Sequence, residues 1–354
     1  MTIEAIDFGL LYQSHLAQSR RSRKSAQEWD SRAEGMAAKA LRSGYTERFV
    51  AAMDLRDAQS LLDVGCGPGT IGLAVAERLQ RVIGLDYSSA MLQAMRQQAA
   101  ARGLQQVQTL QLAWEDDWSA VPQCDIVVAS RSTNVEDIAT ALAKLHDKAR
   151  LRVYLTHLVG GHFTDPALYH AMGRRPPPSA PDYIYLLNIL HRMGIHPRLG
   201  KGLFTLCKES RRPEKSLRSR RTSQGVCRYA QDGQRRAGGF FMPSRRVGPV
   251  GAAHGVGNPR KASSLAAVAA LCSAPTGPNA ISLHSVNRPY ISQHNRLAEA
   301  SDAEDFVRRV AWSAGALEEA EAAALRAWYA QATPEQRAGP PMRWALISWD
   351  KPSS

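Results

Sequence analysis

The chain has no pair of cysteines in CxxC spacing. Its five (Cys66, Cys124, Cys207, Cys227, Cys272) are scattered and odd in number. That argues against a disulfide framework or a zinc knuckle and suits a reducing cytoplasm. Long apolar runs are missing too: the longest, LAAVAALC at Leu265–Cys272, falls far short of the roughly 20 residues that cross a bilayer. No membrane partner is expected. The N-terminal stretch carries RRSRK from Arg20 with no sustained apolar segment ahead of it, so it does not read as a secretory signal. No GxxxxGK[ST] occurs, which excludes a P-loop.

Acidic residues are scarce in one region only. Between Lys201 and Asn295 there are 16 Lys and Arg against 3 Asp and Glu, a balance of +13. The remainder holds 45 − 16 = 29 basic and 32 − 3 = 29 acidic residues, so its balance is zero. The same region contains 17 Gly and Pro and keeps neither strand nor helix period. A neutral, patterned body is therefore interrupted by a basic, irregular insert.

What is present in the body is alternation of strand and helix signals. Ser60–Val64, Val82–Asp86, Val107–Leu112, Asp125–Ala129 and Leu151–Leu158 read as short buried strands. Between them, helical spacing is predicted over Thr70–Leu79, after Ser88 or Ser89 as cap, and after Asn134 as cap. Strands separated by helices form a parallel, doubly wound sheet, because parallel neighbours need crossover connections. Such a sheet binds ligands outside the carboxyl ends of its strands. Gly65, Gly67 and Gly69 fall there, in LLDVGCGPG, and Asp86 closes the second strand beside them. Glycines let a ligand approach bare backbone, and a carboxylate at that place accepts both hydroxyls of a ribose.

The residues Asp63-Val64-Gly65-Cys66-Gly67-Pro68-Gly69, then Asp86, then Trp114-Glu115-Asp116 resemble the class I S-adenosylmethionine-dependent methyltransferases. The spacing is GxGxG with an acid two residues ahead, not the GxGxxG of dinucleotide enzymes. Asp63 would also sit badly against a pyrophosphate, whereas it suits a cationic ligand. The resemblance implies a Rossmann-like, seven-stranded α/β fold with an antiparallel last strand, which RWALISWDK at Arg343–Lys351 resembles. It implies a helical lid over residues 1–55, a cofactor-binding core over 56–200 and a return to the core over 296–354, with 201–295 as the insert. It further implies S-adenosyl-L-methionine as cofactor. The residues holding it would be Asp63, Gly65, Gly67 and Gly69 at the methionine tail, Asp86 and Tyr87 at the ribose, Trp114 and Glu115 near adenine, and Ser130 after the fourth strand. Asp116 and Asp117 also read as solvated loop acids.

The chemistry is less legible. The segment Ser130-Arg131-Ser132-Thr133-Asn134 lacks the [DN]PP[YF] motif of amide-methylating members, the Pro-Cys pair of cytosine-C5 enzymes and any Asp-Asn metal cluster. Arg131 reads either as a cation for an anionic substrate or as an ordinary surface arginine. A sulfonium methyl donor asks for alignment above all, and for a base only if the acceptor is protonated. His157 and His162 are candidates for that base, each with packing as the plainer reading. Tyr183, Tyr185, Asn188 and His191 either face an acceptor or belong to an amphipathic helix capped by Asp182. The helices containing Phe306 and Leu325 read as structural. A small-molecule acceptor is expected, with two alternatives: a nucleic-acid methyltransferase using the basic insert, or a protein that binds cofactor without turnover. The insert itself reads as a disordered arm, a plain insertion, or the product of two compensating frame shifts.

Overall fold

Every residue of Ser60–Val64 (β1) is buried, and its apolar faces separate by alternation. Leu62 and Val64 join one core cluster and Leu61 the other. A strand buried on both sides suits a parallel sheet covered by helices on each face. The structure, a computed structural model, describes residues 2–19, 24–40, 43–200, 290–293 and 295–352. Its strands are β1, β2 (Arg81–Asp86), β3 (Val107–Gln111), β4 (Cys124–Ser130), β5 (Ala149–Val159), β6 (Arg198–Leu199), β7 (Tyr290–Gln293) and β8 (Met342–Asp350). They lie in the order β3-β2-β1-β4-β5-β8-β6, with β7 also on β8. The first five pair in parallel and β8 runs antiparallel to β5, as a Rossmann-like methyltransferase sheet requires.

The described helices are α1 (Phe8–Gln18), α2 (Ala26–Asp30), α3 (Ala33–Ala40), α4 (Gly44–Ala52), α5 (Gly72–Val75), α6 (Ser89–Ala101), α7 (Ile138–Lys148), α8 (Pro166–Ala171), α9 (Tyr183–Arg192), α10 (Ala303–Ala314), α11 (Glu319–Gln331) and α12 (Pro334–Ala338). Tyr12, Leu142, Leu145, Leu186 and Leu190 from α1, α7 and α9 pack on one face of the sheet. Phe49, Leu73 and Met95 from α4, α5 and α6 pack on the other. Each fully buried leucine contributes about 2 kcal/mol. A third cluster, built on Leu168, Phe306, Val310 and Leu325, joins α8 to α10 and α11.

Three local expectations change. The helix predicted over Thr70–Leu79 shrinks to α5 and a 3-10 turn at Ala76–Arg78. Side chains take its carbonyls there: Arg102 Nη1 donates to Leu73 O and Gln106 Nε2 to Ala76 O, both at 2.9 Å. Asn134 does not cap the helix after β4; Asp137 does, accepting from Thr140 N. The residues ahead of it are held otherwise, Ser132 Oγ donating to Val64 O at 2.7 Å and Thr133 Oγ1 to Thr156 O at 3.0 Å. Ser88 and Asp182 cap α6 and α9 as expected.

The third change concerns the insert. Tyr290–Gln293, assigned to it by charge and composition, is a strand of the body. Arg198 and Leu199 pair with Ser348 and Ile347, and Gly200 N donates to Leu346 O at 2.8 Å. Tyr290 then pairs with Ala345, and the register continues to Gln293 opposite Met342. Thus β6 and β7 are two halves of one edge strand, in unbroken register along β8, and the sheet is seven strands wide. Residues 201–289, with the arm, insertion and frame-shift readings that concern them, lie outside the described residues, as do Arg20–Arg23. Among the described residues no helix is long and apolar enough to cross a membrane.

Unbroken register has a direct consequence. A chain joining Gly200 to Tyr290 should fold, with a circular dichroism spectrum of the same α/β type and a melting temperature within about 5 °C of the full chain, a shift on the order of 1 kcal/mol. An insoluble or unfolded product would contradict the continuity of this edge.

Candidate functional site

At the end of β1 the chain must turn under β2 and leave backbone exposed. Gly65, Gly67 and Gly69 all take left-handed φ angles, of 63°, 54° and 85°. Gly65 N and Cys66 N both donate to Leu85 O, at 2.7 and 3.1 Å, which pins the bend against the end of β2. A β-carbon on Gly65 would lie 2.3 Å from Ser132 Cβ, and one on Gly69 would lie 2.6 Å from Leu73 Cγ. Side chains are excluded at both positions by conformation and by space.

Asp86 completes the bend. Its Oδ2 accepts from Gly67 N and its Oδ1 from Ser88 N, each at 2.9 Å. Both oxygens retain a lone pair for a ligand hydroxyl. Burial pushes this carboxyl up, and the backbone N–H groups of Ser88 and Gly67 oppose the rise. Asp63 Oδ2 accepts from Gly72 N at 2.8 Å. Burial pushes the Asp63 carboxyl up to about 7, and the neighbouring charge of Asp86 adds to the rise. The two acids, the glycine bend and Tyr87 line one cavity of about 1370 Å³ at the carboxyl ends of the strands.

The cavity is roofed from both ends of the chain. Asp30 Oδ1, ending α2, accepts from Ser88 Oγ at 2.5 Å and Ala90 N at 3.1 Å, seating α2 on the start of α6. Tyr87 Oη donates to Lys24 O at 2.8 Å. Trp29 meets Trp312 of α10 edge-on, their ring centres 5.4 Å apart. The segment QEWDSRAEGMAAKAL, expected as a lid, forms α2 and α3, and Trp29 and Met36 from them line the cavity. Helix α10, read from sequence as structural alone, also walls the cavity through Arg309, Trp312 and Ser313.

The other candidates divide. Trp114 lines the cavity and stacks on Trp118 at 5.4 Å. Glu115 is exposed and lies outside the lining, because the turn after β3 directs it to solvent, while Asp116 Oδ2 accepts from Ala113 N at 2.7 Å. Ser130 lines the cavity, its Oγ 2.9 Å from Tyr45 Oη, which also meets Thr156 Oγ1 at 2.7 Å. Burial pushes the Tyr45 phenol up, so it acts as a neutral hydrogen-bonding group.

His157 is buried between two partners: Nδ1 lies 2.8 Å from Thr133 Oγ1 and Nε2 lies 3.2 Å from Pro181 O. A carbonyl only accepts, so Nε2 carries a proton. Both ring nitrogens face protein atoms, the packed arrangement, and this corrects the reading of His157 as a base. His162 is exposed on the cavity wall. Tyr183, Tyr185, Asn188 and His191 are absent from the lining. Helix α9 instead packs Leu186, Ile189 and Leu190 into the sheet, its amphipathic spacing being that of a core helix. Sequence reasoning missed Tyr45, Arg296 and Arg309, which sit at helical or turn positions with no motif around them.

Residues 61–150 match a family described as a methyltransferase domain. An uncharacterized protein of Haemophilus influenzae is 39% identical over 201 residues, spanning 56% of this chain and 75% of the relative. Among solved structures, a SAM-dependent methyltransferase from Aquifex aeolicus is 15% identical, covering 50% of this chain and 91% of its own at a TM-score of 0.38. The YcgJ protein of Bacillus subtilis is 17% identical, covering 44% of this chain and 69% of its own at a TM-score of 0.36.

The raised Asp63 carboxyl in the cavity wall predicts pH-dependent binding of a cationic ligand. A cationic ligand favours the ionised form, so its affinity is full above about pH 7 and falls as the acid protonates. Calorimetry with S-adenosylmethionine should show affinity dropping toward a limit of about tenfold per pH unit below pH 7, one proton being linked. Asp63→Asn should flatten that slope. An equally steep slope in the variant would remove Asp63 from the site.

Proposed function

The chain belongs to the class I S-adenosylmethionine-dependent methyltransferases, and we propose that it methylates a small molecule held in the cavity beside the glycine bend. When bound, S-adenosylmethionine supplies a methyl group already activated by its sulfonium. The chain's own work is then to hold two reactants in line and keep water out. The bare backbone of Gly65–Gly69 and the Asp63 carboxylate suit the amino acid tail, and Asp86 suits the ribose hydroxyls. Trp114 offers an apolar wall for adenine. Ser130, held by Tyr45, stands at the end of β4 between that half of the cavity and the acceptor half.

The observation that carries the small-molecule reading is the roof. A cavity of about 1370 Å³ exceeds the roughly 300–1,000 Å³ usual for a single ligand. It has room for cofactor and acceptor together under α2, α3 and α10. A substrate reaching the bend must fit beneath these elements, which favours a compact acceptor over a polymer. Where the acceptor carries a proton, His162 is the side chain placed to take it.

Incubation with methyl-labelled donor tests this. Label should pass to a component of a low-molecular-weight cell extract and not to total RNA from the same cells. Label in RNA alone would overturn the small-molecule reading. Cofactor binding with no label transfer to either pool would support a non-catalytic binder.

A further inference from the structure

Besides the acidic bend, the same cavity carries a set of basic side chains. Arg32, after α2, Arg131, after β4, Arg296, after β7, and Arg309, on α10, all line it. They come from four separate segments, so no local pattern in the sequence brings them together. They are close enough to act on each other. Burial lowers the Arg32 guanidinium first, and Arg296 and Arg309 lower it further. Arg296 is likewise lowered by burial, then by Arg131 and, less strongly, by Arg309, with Glu299 partly offsetting them.

Two carboxylates reach this cluster of four guanidiniums: Asp305 pairs with Arg309 at 2.7 Å and also acts on Arg32, and Glu299 acts on Arg296. Arg131 Nη1 donates to the neutral Gln293 amide at 3.1 Å, and its guanidinium lies 4.2 Å from the Tyr45 ring centre. Arg131 also takes a left-handed φ of 59°, a conformation costly for a side-chain-bearing residue and found where geometry serves a site. The Arg32 guanidinium lies 3.7 Å from the Trp312 ring centre. Among the described residues, neither Arg32 nor Arg296 donates its guanidinium to a hydrogen bond or ion pair. Gathering like charges on a protein wall is unfavourable unless an anion joins them.

We propose that the acceptor is an anionic small molecule, bearing a carboxylate or phosphate that Arg32, Arg131 and Arg296 hold while its apolar body lies against Trp29, Trp312 and Trp344. This rests on reading the cavity as the acceptor site and names the chemical class that site takes. The guanidinium forks match carboxylate and phosphate geometry. The cofactor carries one carboxylate of its own, whereas four arginines line the cavity. The arginine cluster therefore exceeds what the cofactor needs.

The test is made on the full chain saturated with S-adenosylhomocysteine, titrated with benzoate, phenyl phosphate and the neutral analogue benzamide. Either or both anions should bind and benzamide should not. Arg296→Gln and Arg32→Gln should each weaken the anions by about tenfold, as loss of a charge-assisted hydrogen bond implies. Their affinity for S-adenosylhomocysteine should stay within about twofold, which also reports that the variants are folded. Benzamide binding as well as benzoate, or anion affinity unchanged in both variants, would overturn the proposal. Displacement of benzoate by a short single-stranded RNA of comparable affinity would overturn it in favour of a polymer substrate. Failure of the wild type to bind S-adenosylhomocysteine would instead sink the cofactor reading on which the proposal stands.

Discussion

One side-chain hydrogen bond ties the site to the fold: the Gly67 N–H donates to the Asp86 carboxylate at 2.9 Å. It joins the loop after β1 to the end of β2, the two strand tips that open onto the cavity. Bonds of this charge-assisted kind contribute about 1.5–3 kcal/mol. The geometry around it is correlated. The second Asp86 oxygen accepts from Ser88 N, and Ser88 Oγ donates to Asp30 at the end of α2. A shift of that carboxylate would therefore disturb the bend, the start of α6 and the seat of α2 together.

The cavity built on this junction carries both signs of charge: Asp63 and Asp86 line it together with Arg32, Arg131 and Arg296. A ligand pair of matching polarity would be oriented on entry, before any contact with the reacting atoms. Methyl transfer from a sulfonium depends on such alignment above all. His157, the more deeply placed histidine, holds Thr133 and the Pro181 carbonyl together and so serves the wall rather than the reaction.

Much of the fold was legible because its signals are local. The run Ser60–Val64, the glycines that follow and Asp86 lie within one βαβ unit, where spacing in sequence translates into proximity. Ser88 and Asp182 declared their caps in the same way. The arginine cluster was not legible, since Arg32, Arg131, Arg296 and Arg309 converge only through the sheet order and the packing of α10. Glu115 was misplaced because a turn held by Asp116 decides where side chains after β3 point. The edge strand was hidden for another reason: its two halves, Arg198–Leu199 and Tyr290–Gln293, are each too short to announce a strand, and only pairing with β8 reveals them as one. Average charge over Lys201–Asn295 then masked the second half.

The most direct test of the account is calorimetric titration of S-adenosylhomocysteine into the wild type and into Asp86→Ala, with circular dichroism confirming that both are folded. The wild type should bind and the variant should bind about a hundredfold more weakly, the effect of losing two ligand hydrogen bonds to a buried carboxylate. Equal affinities in two folded proteins, or no binding by the wild type, would contradict it.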